Sequence, residues 1–130
     1  NYDDNYNVIK NIKGDIKKII DDGGYDIKIE VDGGINNETI LKSIIPNIIV
    51  TKGELGSVVK TNKQLFSVSA RKVKPLNTTG AGDTYNGVLA AALLEGKDIL
   101  EASKIASIAA SISVTKEFVI DAIPYRNEIK

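Results

Sequence analysis

The residues best suited to chemistry lie in one short run, Asn77-Thr78-Thr79-Gly80-Ala81-Gly82-Asp83. Small residues at Gly80, Ala81 and Gly82 stand where an extended segment gives way to a helix. The N–H groups of Ala81, Gly82 and Asp83 would then point into one space, together with the positive end of the helix dipole. Such a space suits an anion. Asp83 falls in the first helical turn, beside it. A carboxylate next to backbone N–H groups fits phosphoryl transfer. It orients and deprotonates an attacking hydroxyl while the N–H groups stabilise charge on the transferring group. The plainer reading is that Asp83 only complements the helix dipole. Spacing alone leaves the two level. The run is not a Walker A loop, since no Gly-x-x-x-x-Gly-Lys-Ser/Thr spacing occurs, and Tyr85 fills the third position of a dinucleotide fingerprint.

Composition narrows the rest. The 130 residues contain no Cys and no His. That removes disulfides, thiolate metal sites, Ser-His and Cys-His pairs and imidazole acid–base work, and no metal site is assigned. With 17 basic and 17 acidic side chains the formal net charge is +0, so neither a nucleic-acid footprint nor a polybasic membrane contact is expected. No apolar run reaches the roughly 20 residues of a membrane helix, and no signal peptide opens the chain. A cytoplasmic globular protein is expected. The first residue is Asn1 rather than Met, which fits a fragment or a processed chain.

The elements that must hold the Gly-rich turn follow from periodicity. Val8, Ile9, Ile12, Ile16, Ile19 and Ile20 have helical spacing over residues 5–21. Residues 27–31 alternate as a strand, and Asp32-Gly33-Gly34 ends it. A short helix over 36–44 stops before Pro46, and Ile48-Ile49-Val50 reads as a buried strand. Helix, strand, helix, strand is the rhythm of a parallel sheet. Gly53 and Gly56 then bracket a turn, and Val58-Val59 with residues 65–68 forms a hairpin around Asn62-Lys63. A short strand is expected at 73–76, a helix at 83–94 and another at 99–114. In the last, Ala106, Ala109 and Ala110 favour close helix packing. The class is α/β.

The run from Asn77 to Gly87 resembles the second signature of the ribokinase (phosphofructokinase-B) family of carbohydrate kinases, written Asp-Thr-Thr-Gly-Ala-Gly-Asp-Thr-Phe-x-Gly. Val50-Thr51-Lys52-Gly53-Glu54-Leu55-Gly56 resembles the family's Thr-x-Gly-x-x-Gly segment along ATP. Residues 109–116 resemble its late helix bordering the adenine, and residues 122–128 its Ile-Pro-x-Arg-x-Glu ending. The resemblance covers roughly residues 45–130. It implies the C-terminal lobe of a parallel-sheet sandwich, with Asp83 as catalytic base. Gly80, Ala81 and Gly82 would then form the anion hole, with Thr51, Gly53 and Gly56 along ATP. It implies ATP and Mg2+ as cofactors and a small sugar as acceptor. Two positions depart from the family. Asn77, paired with Thr79 at a place tied in some members to a monovalent cation, replaces the usual Asp and loses a charge, which weakens the case for K+. Phe118 stands where the family usually has Gly.

Ile29-Glu30-Val31-Asp32-Gly33-Gly34-Ile35-Asn36 resembles instead a late strand and loop of ribulose-phosphate 3-epimerase, a TIM barrel. That resemblance implies a catalytic acid/base at Asp32 and phosphate-approaching glycines at Gly33 and Gly34. A barrel needs eight strands, and the epimerase metal ligands include histidines that this chain lacks, so the inherited site is read as inactive. The chain thus reads as an epimerase-like helix–strand–helix unit (1–44) joined to a kinase segment (45–130). The kinase family's Asn-x-x-Glu segment and sugar pocket are missing, so a further lobe or a homo-oligomer would have to complete the site. The expected function is an ATP-dependent sugar kinase segment; the alternative is a catalytically silent chimeric or truncated α/β scaffold, or a remnant of a ribulose-phosphate 3-epimerase.

Overall fold

The computed structural model describes residues 46–62 and 64–130. The expected 1–44 unit, with Asp32, Gly33 and Gly34, lies outside the described residues. Three strands come first: β1 (Asn47–Thr51), β2 (Ser57–Thr61) and β3 (Gln64–Val68), in the order β1-β2-β3. Both pairings are antiparallel, Val50 lying opposite Val58 and Ser57 opposite Val68. Of residues 5–50, where the parallel rhythm is expected, only β1 lies among the described residues; the expected β2–β3 hairpin forms, and β1 joins it antiparallel. The connections, residues 52–56 and 62–63, are five and two residues long and permit only antiparallel return, since a parallel one needs a crossover of a dozen or more.

The connections explain themselves locally. A single 3-10 turn, Gly53–Leu55, links β1 to β2, and the Lys52 N–H donates to the Gly56 carbonyl at 2.7 Å. Gly56 sits at φ +90°, and a Cβ there would lie 1.9 Å from the Val68 carbonyl oxygen, so glycine alone fits. Asn62 takes φ 51°, the left-handed region that a two-residue hairpin demands between Thr61 and its partner Gln64.

Two helices follow, α1 (Ala81–Leu94) and α2 (Ile99–Ser113). At the end of α1, Gly96 adopts φ 84°; its N–H donates to the Leu93 carbonyl and that of Lys97 to the Ala92 carbonyl, a Schellman closure. Ala102, Ser103, Ala106 and Ala109 are fully buried along α2, as expected of a close helix seam. Ile49, Val59, Val68, Tyr85 and Ala106 form the core between sheet and helices.

The strand expected at 73–76 does not form. Pro75 has no N–H to give a ladder, and the donors around it go to α2 instead. The Arg71 N–H reaches Ser111 Oγ at 3.2 Å, and the Leu76 and Asn77 N–H groups share the Val114 carbonyl at 2.7 and 3.2 Å. This stretch is a strap laid along α2 that delivers the chain to the start of α1.

Candidate functional site

The strap ends in a short knot. The Asn77 side-chain oxygen accepts the Thr79 N–H at 3.0 Å, and its amide nitrogen donates to the Glu117 carbonyl at 2.9 Å. Both ends of the Asn77 carboxamide are thus engaged. The second bond needs a donor, which the family's usual aspartate would not supply. Beyond the knot, Gly80 turns the chain at φ 78° into α1, and a Cβ there would meet Val119 Cγ1 at 2.8 Å.

The α1 N-terminus carries no side-chain cap. The Ala81 N–H turns back to the Thr78 carbonyl at 3.3 Å, a long bond that withdraws one of the three N–H groups expected to face an anion. The Gly82 and Asp83 N–H groups, in the first helical turn, take no acceptor among the described residues. Gly82 is exposed, with nothing within 4 Å of where a Cβ would sit, and the Asp83 side chain is exposed beside it. Next in sequence, Thr84 and Tyr85 turn into the core. The local result is an open pair of donors, a helix dipole and one carboxylate, which can receive an anionic group and orient a hydroxyl against it.

Asp83 and Gly80 also line a groove of about 600 Å³. One stripe of α1, from Gly80 through Gly87 and Ala91 to Glu95, forms its floor; Ile108 of α2 and Ile123 of the C-terminal segment form walls. Ala81, Gly82, Asn77, Thr79, Thr51, Gly53 and Gly56 do not line it. Thr51 and Gly53 are exposed at the β1–β2 turn, and Gly56 is buried. That turn is nevertheless tied to α1. Ser57, the residue after Gly56, has its hydroxyl 3.2 Å from the Tyr85 hydroxyl, and both meet Ser103 of α2.

Glu95, Lys97, Arg126 and Lys130 also line the groove. Arg126 forms a two-pronged pair with Glu95, one prong at 3.1 Å, which holds the Glu95 carboxyl below its usual range and the guanidinium above its own. The Glu128 carboxylate accepts the Tyr125 N–H at 2.7 Å and pairs with Lys116 at 3.2 Å; these lower its pKa, the backbone bond most. Sequence reading marked Arg126 and Glu128 within the Ile-Pro-x-Arg-x-Glu ending, but nothing local pointed to Glu95, 31 residues away. The Ser57–Tyr85–Ser103 contact was equally hidden. Its one local signal is a Tyr where the signature has Phe.

No group of three or more acidic residues among the described residues could hold a metal by itself. Magnesium fits here only as an ion carried mainly by phosphate oxygens, with one or two carboxylates at most. No helix among the described residues is long and apolar enough to cross a membrane.

Residues 36–126 match the pfkB family of carbohydrate kinases. The ribokinase of Bacillus subtilis (strain 168) is 39% identical over 83 residues, which are 64% of this chain and 28% of that protein. The 5-dehydro-2-deoxygluconokinase of the same strain is 36% identical over 110 residues, 82% of this chain and 34% of that protein. The structure of Arabidopsis thaliana ribokinase complexed with ribose and ATP superposes with a TM-score of 0.61 at 30% identity, covering 65% of this chain and 28% of that one. The chain spans about a third of the relatives it matches. A kinase match over 82% of the chain necessarily takes in Asp32, Gly33 and Gly34. The epimerase resemblance of that octapeptide is therefore unsupported, and the sugar-kinase likeness replaces it.

Proposed function

The chain belongs to the pfkB family of carbohydrate kinases, and from that premise we propose that it is the nucleotide-binding, phosphoryl-transferring part of a cytoplasmic sugar kinase. ATP bound with Mg2+ lays its phosphates against the Gly82 and Asp83 N–H groups, and the 51–56 turn with Thr51, Gly53 and Gly56 runs along the nucleotide. A sugar hydroxyl oxygen attacks the γ-phosphorus, the bond to the β–γ bridging oxygen breaks, and ADP leaves. The hydroxyl proton passes to the Asp83 carboxylate. Potassium is given no role, because Asn77 lacks the negative charge of the family's usual aspartate and its side-chain oxygen already accepts the Thr79 N–H.

The observation that carries this reading is the uncapped α1 start, with two N–H groups unmatched beside an exposed carboxylate. Gly80, an accepted N-cap without a side-chain acceptor, leaves these donors free for solvent or for an anion. Ribose and ATP in the Arabidopsis relative support the substrate class. The test is a titration of magnesium–ATP into the chain, read by calorimetry and by amide NMR shifts. Saturable binding that moves the Gly82 and Asp83 resonances is the expected result. No binding, or shifts confined elsewhere, would return the chain to a silent scaffold.

A further inference from the structure

Three buried hydroxyls meet at one point in the core. The Ser57 hydroxyl oxygen lies 3.2 Å from that of Tyr85 and 3.3 Å from that of Ser103, and Tyr85 and Ser103 also bond to each other. Each comes from a different element: β2, α1 and α2. Exposure is 2% for Ser57, 4% for Tyr85 and 0% for Ser103, so the ring is shielded from bulk solvent. Three O–H groups in a closed ring can each donate once and accept once, and no buried side-chain polar atom among the described residues lacks a partner.

We propose that Ser57, Tyr85 and Ser103 are positioning residues for phosphoryl transfer, locking the α1 start and the 51–56 turn into one register. The proposal rests on the kinase reading above. Tyr85 follows Asp83 by two residues, about 200° around the helix, so the ring holds α1 from inside while the carboxylate faces out. Any slide or rotation of α1 that displaces Asp83 must break two of the three bonds. Ser57 follows Gly56, whose close approach to the Val68 carbonyl fixes the end of the other turn. One anchor therefore serves both segments assigned to the nucleotide. A phenylalanine would fill nearly the same volume among Val59 and Ala106; what the Tyr85 hydroxyl adds is direction, not packing.

Two variants test this. Tyr85→Phe leaves Ser57 and Ser103 with one bond between them. The triple variant Ser57→Ala, Tyr85→Phe, Ser103→Ala removes all three hydroxyls and leaves no orphaned group, so it keeps the fold even where Tyr85→Phe alone fails. In both, magnesium–ATP should bind about 3- to 10-fold more weakly, the scale of one hydrogen bond. The ligand-free Gly82 and Asp83 amide resonances should move, with the triple variant melting close to the unsubstituted chain. A lower melting temperature with unchanged affinity and unmoved amides would overturn the positioning role and leave the kinase reading standing. Absence of magnesium–ATP binding in the unsubstituted chain would overturn both.

Discussion

The two helices of this domain lie side by side and begin in opposite ways. At the start of α2 the Asp98 carboxylate accepts the Glu101 N–H at 2.8 Å, and Lys97 pairs with Glu101 at 2.7 Å. At the start of α1, Gly80 offers no side chain, and the Gly82 and Asp83 N–H groups remain open. One start is closed by a side-chain acceptor; the other, at Gly80, has none and carries the Asp83 carboxylate within its first turn. The contrast separates a helix start whose donor is met by a side chain from one whose first donors stay open to solvent or a ligand.

The contrast breaks most visibly at Asp83. In phosphoryl-transfer assays Asp83→Asn should lower turnover about 10²- to 10⁴-fold, the usual cost of losing a general base, with magnesium–ATP affinity held or slightly tightened. Equal losses in rate and affinity would make Asp83 a helix-start residue and nothing more. Gly82→Val should act on binding instead. The space around Gly82 is empty, so the fold accepts the side chain, yet it stands where a phosphate must approach. Affinity should fall by about tenfold or more, on the scale of a lost charge-assisted hydrogen bond, with melting little changed. Asp98→Ala is the mirror experiment. Denaturant unfolding should show a loss of about 1 kcal/mol, and nucleotide binding should not notice. If Asp98→Ala weakened binding while Gly82→Val did not, the two helix starts would have been assigned the wrong way round.

The smallest effect concerns the charged groups around Arg126. Glu95 and Glu128 are both held below the ordinary 4.5 by Arg126 and by the Tyr125 N–H with Lys116. A carboxyl with a depressed folded pKa adds stability above its unfolded value and loses it as pH falls through the folded one. The protection factors of the amides at residues 125–129, taken relative to their intrinsic exchange at each pH, should therefore fall as pH drops below about 4.5, and Arg126→Gln should remove the Glu95 share of that response. Because these groups are solvent-exposed, global melting should move little.

Legibility in the sequence tracked how local the cause was. The hairpin was readable because Asn62 and the alternation around it are adjacent in the chain, and both helices because their spacing and the Gly96 stop lie within a few residues of what they control. The expected strand at 73–76 failed because Pro75 outweighed the apolar residues beside it, and because its partner was a helix end 38 residues on. Asp83 and the Gly-rich turn into α1 were legible as a candidate site; the diversion of the Ala81 N–H to Thr78 was a detail of turn geometry that no spacing encodes. The hydroxyl ring joins residues 18, 28 and 46 positions apart, so nothing in a local window reveals it.

The seam between α1 and α2 has a thermal consequence. Where most interiors release water from large aliphatic side chains, the buried residues of α2 include Ala102, Ser103, Ala106, Ser107 and Ala109. Alanine and serine carry little apolar area into the interior, and apolar area is what raises the heat capacity on unfolding. The domain should therefore sit below the common ~12–15 cal/mol/K per residue, with a broad, shallow stability curve. Its folded population would then change gently with temperature on either side of the maximum.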